Sequence, residues 1–186
     1  MKNLKMMAFA IILITLTSCS NDDSPVNEEE LITTVITTLT GGGQTITLTA
    51  RDLDGDGPNA PMITVTGDLV AGTTYAGATR FLNELNNPTD EITEEVQEEG
   101  TEHQVFYQLA STIGTVAYHS ANTDANGNPI GLQFTLTTSA NNATSGTFVV
   151  TLIHLPNKTA TGVAAGDIIN AGGATDALAI FPLTIQ

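Results

Sequence analysis

One cysteine, no tryptophan and five basic residues in 186 set the first limits. The cysteine is Cys19, so no disulfide can close within the chain, and packing alone must hold the fold. Long apolar runs are missing too. The longest, Met6–Leu16, has eleven residues, and a bilayer-spanning helix needs about 20. Five Lys and Arg against 20 Asp and Glu give a net charge of −15. Such a chain repels phosphate backbones, which excludes nucleic acid as a partner. It also gains little attraction from anionic lipid. The acid excess fits solubility in a salty medium, or attraction of cations. Scarce aromatics leave few platforms on which sugar rings could stack.

The start of the chain carries an address. Met1-Lys2-Asn3-Leu4-Lys5 is a short basic opening, and the apolar run follows it, in the order of a secretory signal. The run ends in Leu16-Thr17-Ser18-Cys19. This tetrapeptide resembles the lipobox of bacterial lipoproteins. The resemblance implies cleavage before Cys19 and acylation of Cys19, which anchors the chain without a transmembrane helix. Ser20-Asn21-Asp22-Asp23-Ser24 resembles the acidic surface-export tag of Bacteroidota-type lipoproteins, and it also reads as a plain acidic tether. The expected organisation is a signal over 1–18, a lipidated flexible tether over 19–30 and one domain over 31–186. The expected location is the outer membrane or cell surface.

The domain alternates Thr, Val, Ile and Leu in short runs bounded by Gly, Asn, Asp and Pro. Candidate strands are 31–40, 44–50, 62–66, 74–82, 103–109, 114–119, 131–138, 146–154 and 178–185. β-Branched and Thr-rich segments of this length fit a pleated, half-buried surface. The pattern predicts an all-β, immunoglobulin-like antiparallel sandwich of about eight or nine strands. Gly41-Gly42-Gly43 reads as a hairpin turn, and Pro182 as an edge position or bulge. One stretch, Pro88–Glu99, reads as a short acidic helix capped by Thr89 or Asp90, with Ile92 and Val96 on its buried face and Gly100 as its stop.

Two constellations suggest cations. Asp52, Asp54 and Asp56 alternate in a glycine-bent loop that could turn three oxygens toward Ca²⁺, although ordinary turn chemistry explains the same residues. Position twelve of that loop is Ile63, not the Glu of an EF-hand. Asn122–Gly127 is a weaker copy. The second constellation is Glu99, Glu102, His103 and His154, with Glu98 beside them. His103 would open a strand beside Val105 and Tyr107, and His154 would close one beside Phe148, Val150 and Leu152. Strand-end imidazoles with nearby carboxylates suit Zn²⁺ if the two ends meet in space. His119 is a third strand-end candidate. No Gly-x-Ser-x-Gly elbow or free catalytic thiol is present, and the paired acids crowd one helix, so the chain is not read as an enzyme.

Five stretches carry a wider resemblance: Asp54–Gly57, Thr74–Gly77, Glu102–Tyr107, His154–Lys158, and Gly166–Ile168 with Gly172–Asp176. On these, residues 28–186 resemble a group of small Bacteroidota-type surface lipoproteins. The group is often labelled a type 1 periplasmic binding fold, a two-lobed βαβ architecture that this chain's pattern lacks. The functional expectation is a lipid-anchored envelope protein that binds a metal ion, Ca²⁺ or Zn²⁺, or a small ligand, and serves an outer-membrane uptake receptor. The other reading is a non-catalytic structural or adhesive surface module. Lipidation has a direct check. Cells fed a labelled fatty acid should label the wild-type protein, and Cys19→Ala should abolish the label; a variant that still labels would overturn the assignment.

Overall fold

The computed structural model describes residues 31–55, 57–141 and 143–186. The signal segment, Cys19, the tether and Asp56 lie outside the described residues. Ten strands and one α-helix follow in chain order. Strands β1 (Thr34–Gly41) and β2 (Gln44–Arg51) form a hairpin in full register, with Gly41 opposite Gln44. Gly42 and Gly43 make the two-residue turn at φ 58° and 77°. A tight hairpin of this kind needs positive φ at both central residues, which glycine adopts without steric cost.

Strand β3 (Met62–Val65) adds to the free side of β2, and β4 (Thr74–Asn83) to the free side of β1. The two-residue β5 (Asp90–Glu91) pairs with the end of β4. Helix α1 (Ile92–Glu98) leads to β6 (His103–Leu109). Then come β7 (Gly114–Tyr118), β8 (Gln133–Thr138), β9 (Thr144–His154) and β10 (Ala174–Ile185). The large sheet runs β3-β2-β1-β4-β8-β7, with β5 beside β4, and the small sheet runs β10-β9-β6. All their ladders are antiparallel, and the two sheets pack as an all-β sandwich. Among the described residues no helix is long and apolar enough to cross a membrane.

Alternation fixes the inner faces. Val35 and Leu39, Ile46 and Leu48, Tyr75 and Phe81, and Phe134 and Leu136 face inward from the large sheet. Val105 and Tyr107, Phe148, Val150 and Leu152, and Phe181 and Leu183 meet them from the small one. A second cluster of Phe106, Ile153, Val163 and Ala171 covers the outer face of the small sheet, under the loop over 155–173. The Phe134 ring lies against Gly77, where an added Cβ would fall 2.3 Å from the ring. One polar chain crosses the core. The Tyr107 hydroxyl lies 2.7 Å from the Gly131 carbonyl and 2.9 Å from Thr79 Oγ1, which lies 2.9 Å from Thr37 Oγ1. Burial pushes the Tyr107 hydroxyl far up in pKa and keeps it a neutral donor.

Several boundaries differ from the sequence expectation. The helix begins at Ile92 rather than near Asp90, because Asp90 and Glu91 spend their backbone on the β4 ladder. Neither Thr89 nor Asp90 caps it; its first flanking residue is Glu91, without a side-chain cap. Ile92 and Val96 are buried as the spacing required, and the helix ends at Glu98, before Gly100. Strand β10 starts at Ala174, four residues earlier than alternation suggested, and Pro182 sits on it as an edge strand. Two substitutions test the core. Phe148→Ala should cost about 3–5 kcal/mol in urea unfolding, and Tyr107→Phe about 1–3 kcal/mol through its orphaned polar neighbours.

Candidate metal centre

His103 opens β6 and His154 closes β9, and the ladder places them directly opposite each other. Directly opposed antiparallel residues hold their side chains together on one face. That face is the inner one, as the burial of Val105, Tyr107, Phe148, Val150 and Leu152 shows. The rings stack, with centroids 4.7 Å apart and planes 17° from parallel. Both are buried, at 0% and 6% exposure.

The third strand of the small sheet adds a carboxylate. Along β10, Ala179, Phe181 and Leu183 face inward, so strict alternation would send Asp176 outward. The ladder skips at this point: Thr175 pairs with Ile153 and Ala177 with Leu152, which leaves Asp176 as the extra residue of a β-bulge. A bulge re-aims a side chain. Asp176 Oδ2 lies 3.8 Å from His103 Nε2, and the Asp176 side chain is 1% exposed. One ligand-capable atom each from His103, His154 and Asp176 falls within 4.8 Å of the others.

The surrounding backbone is unusual. Leu155, just after His154, sits at φ 52°, a left-handed conformation uncommon for a side chain with a Cβ. Gly173 sits at φ 77°, and a Cβ there would fall 2.2 Å from the His154 carbonyl oxygen. Strained backbone of this kind collects at sites that must hold a fixed geometry.

Lys158 locks the same end of the sandwich. Its buried ammonium donates to Asp124 Oδ2 at 3.0 Å, to the Pro129 carbonyl at 3.1 Å and to the Gly100 carbonyl. Burial pushes Lys158 down from its ordinary pKa, and Asp124 partly offsets it. Burial also acts to raise Asp124, but the Lys158 hydrogen bond and two backbone donors prevail and hold its carboxyl low. The loop over 122–127, which resembled a weak calcium loop, therefore closes on a tethered ammonium. By gripping Gly100, Lys158 also fixes the turn that carries Glu102 and His103.

The other sequence candidates fall into place around this centre. Glu102 Oε2 lies 3.6 Å from His154 Nε2, and its side chain is 52% exposed. Glu99 approaches His103 through its backbone, with its carbonyl 3.4 Å from Nδ1. The helix stops before Glu99, so the i, i+4 helical chelate of Glu99 and His103 does not form. His119 is exposed and makes a local bond, accepting from the Ala121 amide through Nδ1 at 3.3 Å. In the acidic loop, Asp52 Oδ1 accepts from the amides of Asp54 and Gly55, and Asp54 Oδ2 accepts from Asn59. Those two oxygens act as turn acceptors, and Asp56 lies outside the described residues.

No family model matches the chain. No curated protein and no solved structure matches it significantly either. What the centre can do is therefore read from its chemistry. Two imidazoles with one or two carboxylates suit Zn²⁺ and its borderline neighbours, including iron(II), which favours two His and one carboxylate. Ca²⁺ needs six to eight oxygens and does not fit this donor set. Sequence reasoning missed Asp176. Its signal was an acid at an outward phase of an apolar strand, three residues after Gly173.

Burial is the main force that pushes the His103 imidazole below its ordinary 6.5, and the His154 ring and Lys158 charge add to it. The Glu99 carbonyl and Glu102 act the other way without reversing it, and Asp176 also faces the ring. The unfolded chain thus takes up this proton at a higher pH than the native one. Stability is complete above about pH 6.5 and is lost as pH falls toward the depressed native value. In chelator-treated protein, the melting temperature should drop between pH 7.5 and 5.5, before the carboxylates titrate. His103→Phe should flatten that slope, and an equally steep slope in the variant would refute the assignment.

Proposed function

We propose that this protein is a lipid-anchored component of the cell envelope whose β-sandwich binds a divalent borderline metal ion, Zn²⁺ foremost, at His103, His154 and Asp176. One observation carries the reading: two buried imidazoles each hold a nitrogen with no hydrogen bond, and one ligand-capable atom from each ring and from the Asp176 carboxylate lies within 4.8 Å of the others, around one point. Leaving a buried polar atom unpaired costs about 1–3 kcal/mol, and an ion at that point would satisfy both nitrogens. The anchor and the outer-membrane or surface location rest on the sequence at Cys19 and Asp22-Asp23. A tethered metal binder at that location would serve capture or handover of ions to an uptake receptor.

A second reading has its own observation. Leu178 and Ile180 point outward and exposed on the edge strand β10, which suits a structural or adhesive module that docks a partner. The two readings separate on metal. If the centre binds, Zn²⁺ at a hundredfold excess over Kd should stabilise the detergent-solubilised full chain by about 2.7 kcal/mol. That corresponds to roughly 5–10 °C in melting temperature for a domain of this size. Calorimetry should give one ion per chain, and Asp176→Asn should remove most of the binding. A metal-indifferent melting temperature with no uptake at micromolar Zn²⁺ would sink the metal reading and leave the docking module.

A further inference from the structure

The two imidazoles repeat one pattern with their ring nitrogens exchanged. In His103, Nδ1 faces the Glu99 carbonyl at 3.4 Å, while Nε2 is buried and makes no hydrogen bond. In His154, Nε2 faces Glu102 Oε2 at 3.6 Å, while Nδ1 is buried and makes no hydrogen bond. A neutral imidazole carries hydrogen on one nitrogen and a lone pair on the other. A carbonyl and a carboxylate can only accept, so the hydrogen belongs on the nitrogen that faces them. The lone pairs then sit on Nε2 of His103 and Nδ1 of His154, the two ring nitrogens that are buried and make no hydrogen bond; His154 Nε2 meets Glu102 at an ion-pair distance that metal binding would have to close to a hydrogen bond.

Resting on the metal reading above, we propose that the two histidines bind the ion through opposite nitrogens, His103 by Nε2 and His154 by Nδ1. Asp176 is the third ligand. Glu102 stays outside the coordination sphere and orients His154 by accepting its Nε2 hydrogen. The Glu99 carbonyl does the same for His103. Metal-bound histidines characteristically give their other N–H to a carboxylate or carbonyl, which fixes the ring and raises its basicity. The rival arrangement makes Glu102 a ligand beside His154 Nε2. It would force hydrogen onto His154 Nδ1, a buried nitrogen with nothing to accept from it.

The assignment has a consequence for the ion. The protein then supplies three ligands, and a four-coordinate ion keeps one position for water or an outside donor. A centre closed by four protein ligands is a structural staple, whereas an open one can exchange its ion or receive an external ligand. Glu102 is thus a positioning residue on the solvent side, and Asp176 is the buried anchor.

The test uses the full chain, solubilised in detergent, with histidines ¹⁵N-labelled. Long-range ¹H–¹⁵N correlations on the Zn²⁺-loaded protein should show His103 metal-bound at Nε2 and His154 metal-bound at Nδ1. In a chelator competition, Glu102→Ala should weaken Zn²⁺ binding about 10–100-fold. Glu102→Gln keeps an acceptor oxygen and should recover part of that loss. Zn²⁺ bound with His154 attached through Nε2 overturns this proposal and leaves the metal reading standing. So does a Glu102→Ala variant that binds as tightly as wild type. A wild-type chain that takes up no Zn²⁺ overturns both.

Discussion

The register of β6 against β9 is the constraint on which the candidate centre depends. It sets His103 opposite His154 and, in the same ladder, Val105 opposite Leu152 and Tyr107 opposite Val150. A slip by one residue would turn every one of these side chains to the other face. The apolar pairs pack into the main core, so burial of Tyr107, Phe148, Val150 and Leu152 holds the register. The two imidazoles are carried along with it, at the end of the ladder where hydrophobic packing gives out. The core thus spends its packing energy on a register that also brings together two polar rings.

Three further devices refine that end of the sandwich, and each is local. The bulge at Asp176 turns a carboxylate inward on a strand whose phase would send it out. The glycine at 173 lets β10 approach the His154 backbone closely. The Lys158 ammonium gathers the carbonyls of Gly100 and Pro129 and the carboxylate of Asp124, which ties the turn before His103 to the loop after His154. A buried charge of this kind is tolerable because every partner is an acceptor. Cation and carboxylate hold loops here in the way a bound ion does elsewhere, without any dependence on ion supply.

Much of the fold was legible in the sequence. Nine of the strands stand where alternation placed them apart from shifted ends, the Gly42-Gly43 turn closes the first hairpin, and Ile92 and Val96 cover the core from the helix. Local periodicity decides such features, so a single sequence exposes them. The helix start was misplaced because β5 forms by pairing with β4, a partner that no local pattern announces. Within the centre, the placement of His103 and His154 on inward phases at strand ends was legible for the same periodic reason. The inward turn of Asp176 was not, because a bulge is a break in periodicity.

The sequence by itself determined the fold class of this protein: a strongly acidic chain with one cysteine, hence no disulfide within it, and an alternating all-β pattern. It also supplied the two histidines with the correct faces. Only the tertiary structure decided that those rings stack, that Asp176 joins them, and that Asp52 Oδ1 and Asp54 Oδ2 serve as turn acceptors. The reason is the range of the forces involved. Side-chain phase is set by neighbours two residues away, whereas the pairing of β6 with β9 and β9 with β10 is settled by which distant strands bury the most apolar surface together.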